Sequence, residues 1–190
     1  MQTTGQGHVR IIAGTLRGSK LPVPARDGLR PTPDRTRETL FNWLAMKIAG
    51  RRVLDAFAGS GALGFEAASR GAAEVVLLER DAAAAESLRA SQERLKVAGM
   101  RIIQTDALSW LGANIDQHFD GVFLDPPFAS ALWPQIWPLL LPLLSDGAWL
   151  YMETAVDDEV ILPAGMVPYK TGKSKHSKYL LAQWHKTAIG

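Results

Sequence analysis

Residues Val53–Gly64 read V-L-D-A-F-A-G-S-G-A-L-G. A short apolar run, Arg51-Arg52-Val53-Leu54-Asp55, ends in a carboxylate and breaks into a loop holding Gly59, Gly61 and Gly64, after which Ala62–Ser69 has helical character. Strand, glycine turn and helix start together offer a phosphate or cofactor site, because the first N–H groups of a helix lack intrahelical partners and point outward. The spacing also satisfies G-x-G-x-x-G, a pattern of dinucleotide enzymes that has little specificity by itself.

Two stretches further along narrow the choice. Glu79 ends the next apolar run, Glu74–Glu79, 24 residues after Asp55. An acid at the tip of the second strand of such a unit accepts hydrogen bonds from ribose hydroxyls, so it suits any adenosine cofactor. Phe119–Phe128 reads F-D-G-V-F-L-D-P-P-F, a buried strand that ends in an acid, two prolines and an aromatic. Hydride transfer to a dinucleotide has no use for that ending, whereas methylation of an exocyclic amine does.

Around these stretches β and α alternate. Strands are expected at 51–55, 74–79, 101–105, 119–125, 146–153 and 178–185, with a weaker one near 165–169, and helices at 61–70, 81–98 and about 130–144. The pattern predicts an α/β fold with a mostly parallel sheet covered on both faces, closed by an antiparallel pair around the turn region Thr171–Ser177. Pro134, Pro138 and Pro142 predict a kinked or short last helix. Ahead of the sheet, His8–Val23 suits a β-hairpin with a glycine-containing turn. A helix follows, capped by Thr32 or Asp34, apolar at Leu40, Phe41, Leu44 and Ile48 and ended by Gly50. Residues 1–49 thus form an extension and 50–190 the main unit.

Composition bounds the function. The 190 residues suffice for one core, and 47 % hydrophobic against 21 % charged is ordinary for a soluble domain. The absence of cysteine removes disulfides, zinc thiolates and thiol nucleophiles, and agrees with a cytoplasmic protein. No apolar run reaches membrane-spanning length and no signal-peptide core opens the chain. The net charge of +2 is unevenly spread: residues 1–37 hold seven basic side chains against two acids, residues 170–190 hold five lysines and no acid, and the middle is acidic. Basic ends on an acidic middle suggest a polyanion docking on the termini, with Arg10, Arg17, Lys20, Arg30, Arg35, Lys173 and Lys175 as candidate nucleic-acid contacts.

Asp55, Glu79, Asp106 and Asp125 each fall at or just after a strand's carboxyl end, where α/β sheets bind ligands. Singly, any of them is equally a helix cap or turn residue, and Asp81 reads as a cap. With S-adenosylmethionine as cofactor, Gly59 and Gly61, with Phe57, Ala58 and Ser60 completing their loop, admit its methionine end. Asp55 faces the ammonium group, Glu79 beside Arg80 takes the ribose, and Asp106 with Ala107 borders the adenine. Asp125 and the Pro126 carbonyl would then accept both hydrogens of the target amine and localise its lone pair, Pro127 would stiffen the loop, and Phe128 would stack on a flipped-out base. The plain alternative for D-P-P-F is a tight turn with Phe128 in the core. No metal-ligand spacing is present, and His8, His118, His176 and His185 are scattered.

The chain resembles the RsmD-type 16S rRNA (guanine-N2) methyltransferases over about residues 8–185. The likeness rests on Arg10-Ile11-Ile12-Ala13-Gly14 with Arg17-Gly18, on Leu29-Arg30-Pro31-Thr32 through Arg37-Glu38-Thr39-Leu40-Phe41-Asn42-Trp43-Leu44, on Asp55–Gly64, and on Leu124–Phe128. It implies a Rossmann-like S-adenosylmethionine-dependent methyltransferase fold with a seven-stranded sheet. It also implies one methylated guanine on the small ribosomal subunit or an assembly intermediate, and a monomer. The segment around Thr32, with Arg30, Arg35 and Arg37, is implied to close over the cofactor. Adenine-N6 methylation of DNA or RNA shares D-P-P-F chemistry, and a non-catalytic RNA-binding assembly factor would share the fold.

Overall fold

The structure, a computed structural model, describes residues 7–23, 33–126, 132–174 and 177–186. Strands β3 (Arg52–Asp55), β4 (Glu74–Glu79), β5 (Met100–Gln104), β6 (Phe119–Leu124), β7 (Leu144–Ala155), β8 (Met166–Lys173) and β9 (Ser177–Trp184) form a seven-stranded sheet. Its order is β5-β4-β3-β6-β7-β9-β8, parallel up to β7 and antiparallel at β9 and β8. After β5 the chain returns to the other side of β3, so a switch point lies between β3 and β6, where a crevice opens at the carboxyl ends. The antiparallel end pair expected around residues 171–177 is present, with β8 longer than its weak pattern suggested.

Alternation along each strand sorts the core into two layers, because successive side chains point to opposite faces. Leu54, Val76, Leu78, Val122, Leu124, Leu150 and Met152 face helices α4 (Ala107–Ala113) and α5 (Trp133–Leu140). Val53, Val75, Leu77, Phe123, Trp149, Tyr151 and Leu181 face α1 (Asp34–Trp43), α2 (Ala62–Ser69) and Leu88 of α3 (Ala82–Leu95). The second layer also takes in Ile11 and Leu21 from the hairpin of β1 (His8–Arg10) and β2 (Lys20–Pro22).

Some local expectations differ from the structure. Helix α1 starts at Asp34 after Pro33, without a side-chain cap; Asp34 instead pairs with Arg37 one turn on, and Thr32 lies outside the described residues. The helix ends at Trp43 rather than Gly50. Bonds from Lys47 to Leu44 and from Arg51 to Ile48 continue it as three-residue turns that still deliver Ile48 to the core, and Trp149 Nε1 donates to the Lys47 carbonyl. Helix α4 was not anticipated, although Asp106 as cap with Ala107, Trp110 and Leu111 on one face carries its signal. The proline-rich segment is short as expected, an eight-residue helix followed by a 3-10 turn at Leu141–Leu143.

The hairpin is held on α2 by polar contacts to buried side chains. Fully buried Glu66 accepts from Ile12 N (2.7 Å) and Ala13 N (3.0 Å) and pairs with Arg70. Ser69 accepts from Leu16 N and donates to the Ala13 carbonyl. Gly14 adopts φ +81°, and a Cβ there would lie 1.9 Å from the Ser69 carbonyl oxygen. Gly18 has a similar φ of +85° but open space around it. Gly18→Ala is therefore expected to cost about 1 kcal/mol of backbone strain, and Gly14→Ala at least roughly twice that, in paired urea-unfolding experiments. Equal losses would mean that the close approach to Ser69 contributes nothing.

Candidate active site

The crevice at the switch point is built from strand ends and the loop 56–61. That loop is short because β3 must turn directly into α2, and it uses left-handed backbone at Gly59 (φ 52°) and Gly61 (φ 74°). A Cβ at Gly61 would meet Leu88 Cδ2 at 2.5 Å and Phe65 Cδ2 at 2.9 Å. Gly61 thus allows close packing beneath the loop, in addition to any approach of a ligand above it.

Two carboxylates hold the loop from below. Asp55, 2 % exposed, accepts from Gly64 N at 3.0 Å and so caps the first turn of α2 from a neighbouring strand. Glu79, 6 % exposed, accepts from Gly59 N at 3.0 Å with one oxygen and from Asp81 N at 2.8 Å with the other. Burial pushes the Asp55 carboxyl up to about 7, against the opposing bonds from Gly64 and Phe57 and with a further rise from the Glu79 charge. The two carboxylates therefore favour a cationic group beside them.

Phe57 and Gly59 are half-buried, and Ala58 and Ser60 are buried. Arg80 is exposed at the end of β4. Asp106 is exposed and caps α4 through Ser109 N (2.9 Å), with Ala107 buried behind it. Asp81 caps α3 through Ala84 N at 2.8 Å, as its place before a helix suggested.

Across the crevice, Asp55 pairs in register with Phe123, so Asp125 stands two residues farther out on the neighbouring strand. Strand spacing and rise place the two Cα atoms roughly 8 Å apart. Asp125 is half-buried and Pro126 buried; Pro127 and Phe128 lie outside the described residues. Leu124 pairs with Met152, which brings Asp125 beside Glu153 on the same face. Glu153, 7 % exposed, accepts from Tyr151 Oη (3.0 Å) and Ser177 Oγ (2.7 Å). Burial, then the charges of Glu153 and Asp125, push the Tyr151 hydroxyl well above its usual value, so it remains a donor. The sequence reading did not include this group; its signal was a lone acid in an apolar strand, Tyr151-Met152-Glu153.

Beyond Glu153, a cleft of about 450 Å³ opens between α1 and the β8–β9 turn, lined by Arg35, Thr36, Thr39, Lys173, Ser174 and Tyr179. Arg35 and Lys173 thus face one cleft although 138 positions separate them. Arg10, Arg17 and Lys20 are exposed on the hairpin, while Arg30 and Lys175 lie outside the described residues.

An antiparallel pair appended to a doubly wound sheet separates this protein from the dinucleotide-binding enzymes; it is the sheet of the Rossmann-like methyltransferases. The solved structure of the Escherichia coli yhhF protein superposes with a TM-score of 0.86 at 43 % identity, covering 95 % of this chain and 100 % of that one. An RNA methyltransferase from Salinibacter ruber, solved in complex with S-adenosyl-L-homocysteine, shares the fold at a TM-score of 0.66 and 18 % identity, over 84 % of this chain and 96 % of its own. The chain belongs to the family described as Conserved hypothetical protein 95, whose model matches residues 9–183. A curated relative, the Ribosomal RNA small subunit methyltransferase D of Haemophilus influenzae, is 44 % identical over 183 residues, 94 % of this chain and 95 % of the relative.

The Asp55 carboxyl yields a pH test. Its folded value lies above its unfolded one, so its contribution to stability is full below about pH 4 and is lost as pH rises through 7. Asp55→Asn keeps an acceptor for Gly64 without that loss. Its stability relative to wild type is expected to rise between pH 4 and 8, by up to on the order of 4 kcal/mol. A pH-independent difference in urea unfolding would contradict the burial of a titrating carboxyl here.

Proposed function

We propose that the protein transfers a methyl group from S-adenosylmethionine to the exocyclic N2 amine of a guanine in small-subunit ribosomal RNA. The observation that carries the reading is the placement of Asp125 and Pro126 at the end of β6, directly across the switch point from the glycine loop. The name of the curated relative supports the RNA substrate, and the Salinibacter ruber complex supports the cofactor class.

The crevice fits this cofactor. The buried Asp55 carboxylate, pushed up to about 7, gains from a neighbouring ammonium, and Glu79 at the end of β4 stands where an acid takes ribose hydroxyls. Gly59 and Gly61, with Phe57, Ala58 and Ser60, form the loop under the methionine end; Arg80, Asp106 and Ala107 border the adenosine end, and Thr32 closes over it. When bound, the cofactor supplies an electrophilic methyl on a sulfonium.

Asp125 and the Pro126 carbonyl accept the two amine hydrogens, drawing the nitrogen lone pair out of conjugation with the base and aiming it at that methyl. The bound cofactor would supply the methyl for a new N–C bond and keep the S–C electron pair, while Asp125 would pass the surplus amine proton to solvent. Pro127 fixes the loop and Phe128 stacks on the extruded base. Positioning and charge placement supply most of the acceleration. The exposed cations Arg10, Arg17 and Lys20 on the anchored hairpin, with Arg30, Arg35, Lys173 and Lys175, contact the phosphate backbone.

Asp125→Ala is expected to lower methyl transfer by roughly 10²–10³-fold, the scale of a lost transition-state contact, while S-adenosylhomocysteine affinity stays within about twofold. Full activity would remove Asp125 from the mechanism. Replacing Arg10 and Arg17 with Gln should weaken RNA binding and flatten its salt dependence, since fewer counterions are displaced; an unchanged slope would count against the hairpin as an RNA surface. The decisive assay offers labelled cofactor and methylation-deficient small subunits, naked rRNA and DNA, followed by nucleoside mass spectrometry. N2-methylguanosine from the RNA is the expected product, and N6-methyladenine would overturn the assignment.

A further inference from the structure

Arg37 is fully buried, and among the described residues the other buried charged groups, Asp55, Glu66, Glu79 and Glu153, are all carboxylates. Its Nη2 donates to the Arg10 carbonyl (2.9 Å) and to Asp34 Oδ1 (2.7 Å). Its Nε and Nη1 are enclosed and, among the described residues, have no hydrogen-bond partner. Three of the five N–H groups of a guanidinium are therefore withdrawn from water with nothing to accept them. Such a group in a native structure calls for an explanation, and a missing anion is the simplest one.

The direction of α1 brings Arg37 toward the carboxyl rim of the sheet. Phe41 packs on Phe123 with ring centroids 5.8 Å apart, and Trp149, which pairs with Gly121, reaches the Lys47 carbonyl beyond the end of α1. Helix α1 therefore runs opposite to β6, with its first turns toward the carboxyl rim. Arg37 is one turn before Phe41, about 6 Å along the axis, which matches the two strand residues from Phe123 to Asp125. Arg37 thus branches from α1 at a point about level with Asp125, on the face of the sheet that carries Asp55 and Glu79.

That rim is otherwise acidic. Asp55 and Glu79 suit the ammonium and ribose of the cofactor and Asp125 adds a third negative charge, so its α-carboxylate would be repelled there without a cation. A backbone phosphate of RNA is a poorer fit, because Nε and Nη1 are enclosed while the phosphates of a polynucleotide remain at the surface.

We propose that Arg37 binds the α-carboxylate of the cofactor's methionine moiety through its uncommitted N–H groups, the bonds to Arg10 and Asp34 holding the guanidinium in place. This rests on the S-adenosylmethionine reading and is independent of the base methylated. Entry of the carboxylate requires the first turn of α1 to shift outward, a turn whose cap residue, Pro33, supplies no side-chain bond.

Calorimetry of the full chain with S-adenosylhomocysteine and with its decarboxylated analogue, which keeps the ammonium, tests the assignment without RNA. Wild type is expected to prefer the carboxylate-bearing ligand by tenfold or more. Arg37→Gln should weaken S-adenosylhomocysteine by at least tenfold and leave the analogue unchanged, with Arg37→Lys intermediate because a point charge replaces a planar donor set. Thermal melts without ligand check that each variant folds. Equal weakening of both ligands would make Arg37 structural and overturn the proposal. Loss of RNA affinity with unchanged S-adenosylhomocysteine affinity would overturn it too. Should Arg37→Gln fail to fold, the wild-type preference decides: none between the two ligands refutes the proposal. Failure of wild type to bind S-adenosylhomocysteine at all would instead refute the cofactor reading.

Discussion

Everything at the sheet's rim depends on carboxylates from inside the fold that accept backbone N–H groups. Glu79 spans Gly59 and Asp81, and Asp55 takes Gly64. Together they tie the glycine loop to β3, β4 and the starts of α2 and α3. A loop with left-handed glycines has many conformations in the unfolded chain; two buried acceptors select one of them. The same residues then present negative charge to the crevice, so the scaffold and the ligand field come from one set of atoms.

Glu66 repeats this device one layer out. It accepts Ile12 N and Ala13 N, and it joins the hairpin to the helix that begins at the glycine loop. The basic N-terminal segment is thereby attached to the face of the sheet that carries Asp55 and Glu79. Glu153, on the strand between β6 and β9, ties the C-terminal pair by accepting from two hydroxyls, Tyr151 Oη and Ser177 Oγ. Basic chain ends and an acidic middle are sorted onto different elements: exposed cations on the hairpin, with Arg35 of α1 and Lys173 of β8 facing one cleft, and carboxylates at the strand ends.

Much of this was legible along the chain. The strand-glycine-helix pattern of 52–69, the acid at Glu79, the ending at Asp125-Pro126 and the antiparallel end pair are all local signals, governed by periodicity, turn chemistry and strand termini. The long β7, helix α4 and the early end of α1 were less so. Their limits are set by what packs on them: Trp149 on the turns after α1, and Trp110 and Leu111 in the core beneath α5.

The sequence by itself determined the sheet class, the loop and the acids of the rim, because each depends on residues within a few positions of one another. Tertiary structure alone decided that Asp55 also braces α2, that Glu153 stands beside Asp125, that Arg35 and Lys173 share a cleft, and that Arg37 is enclosed with three unspent donors. Those facts depend on strand order and helix direction, which bring together side chains that no local spacing relates.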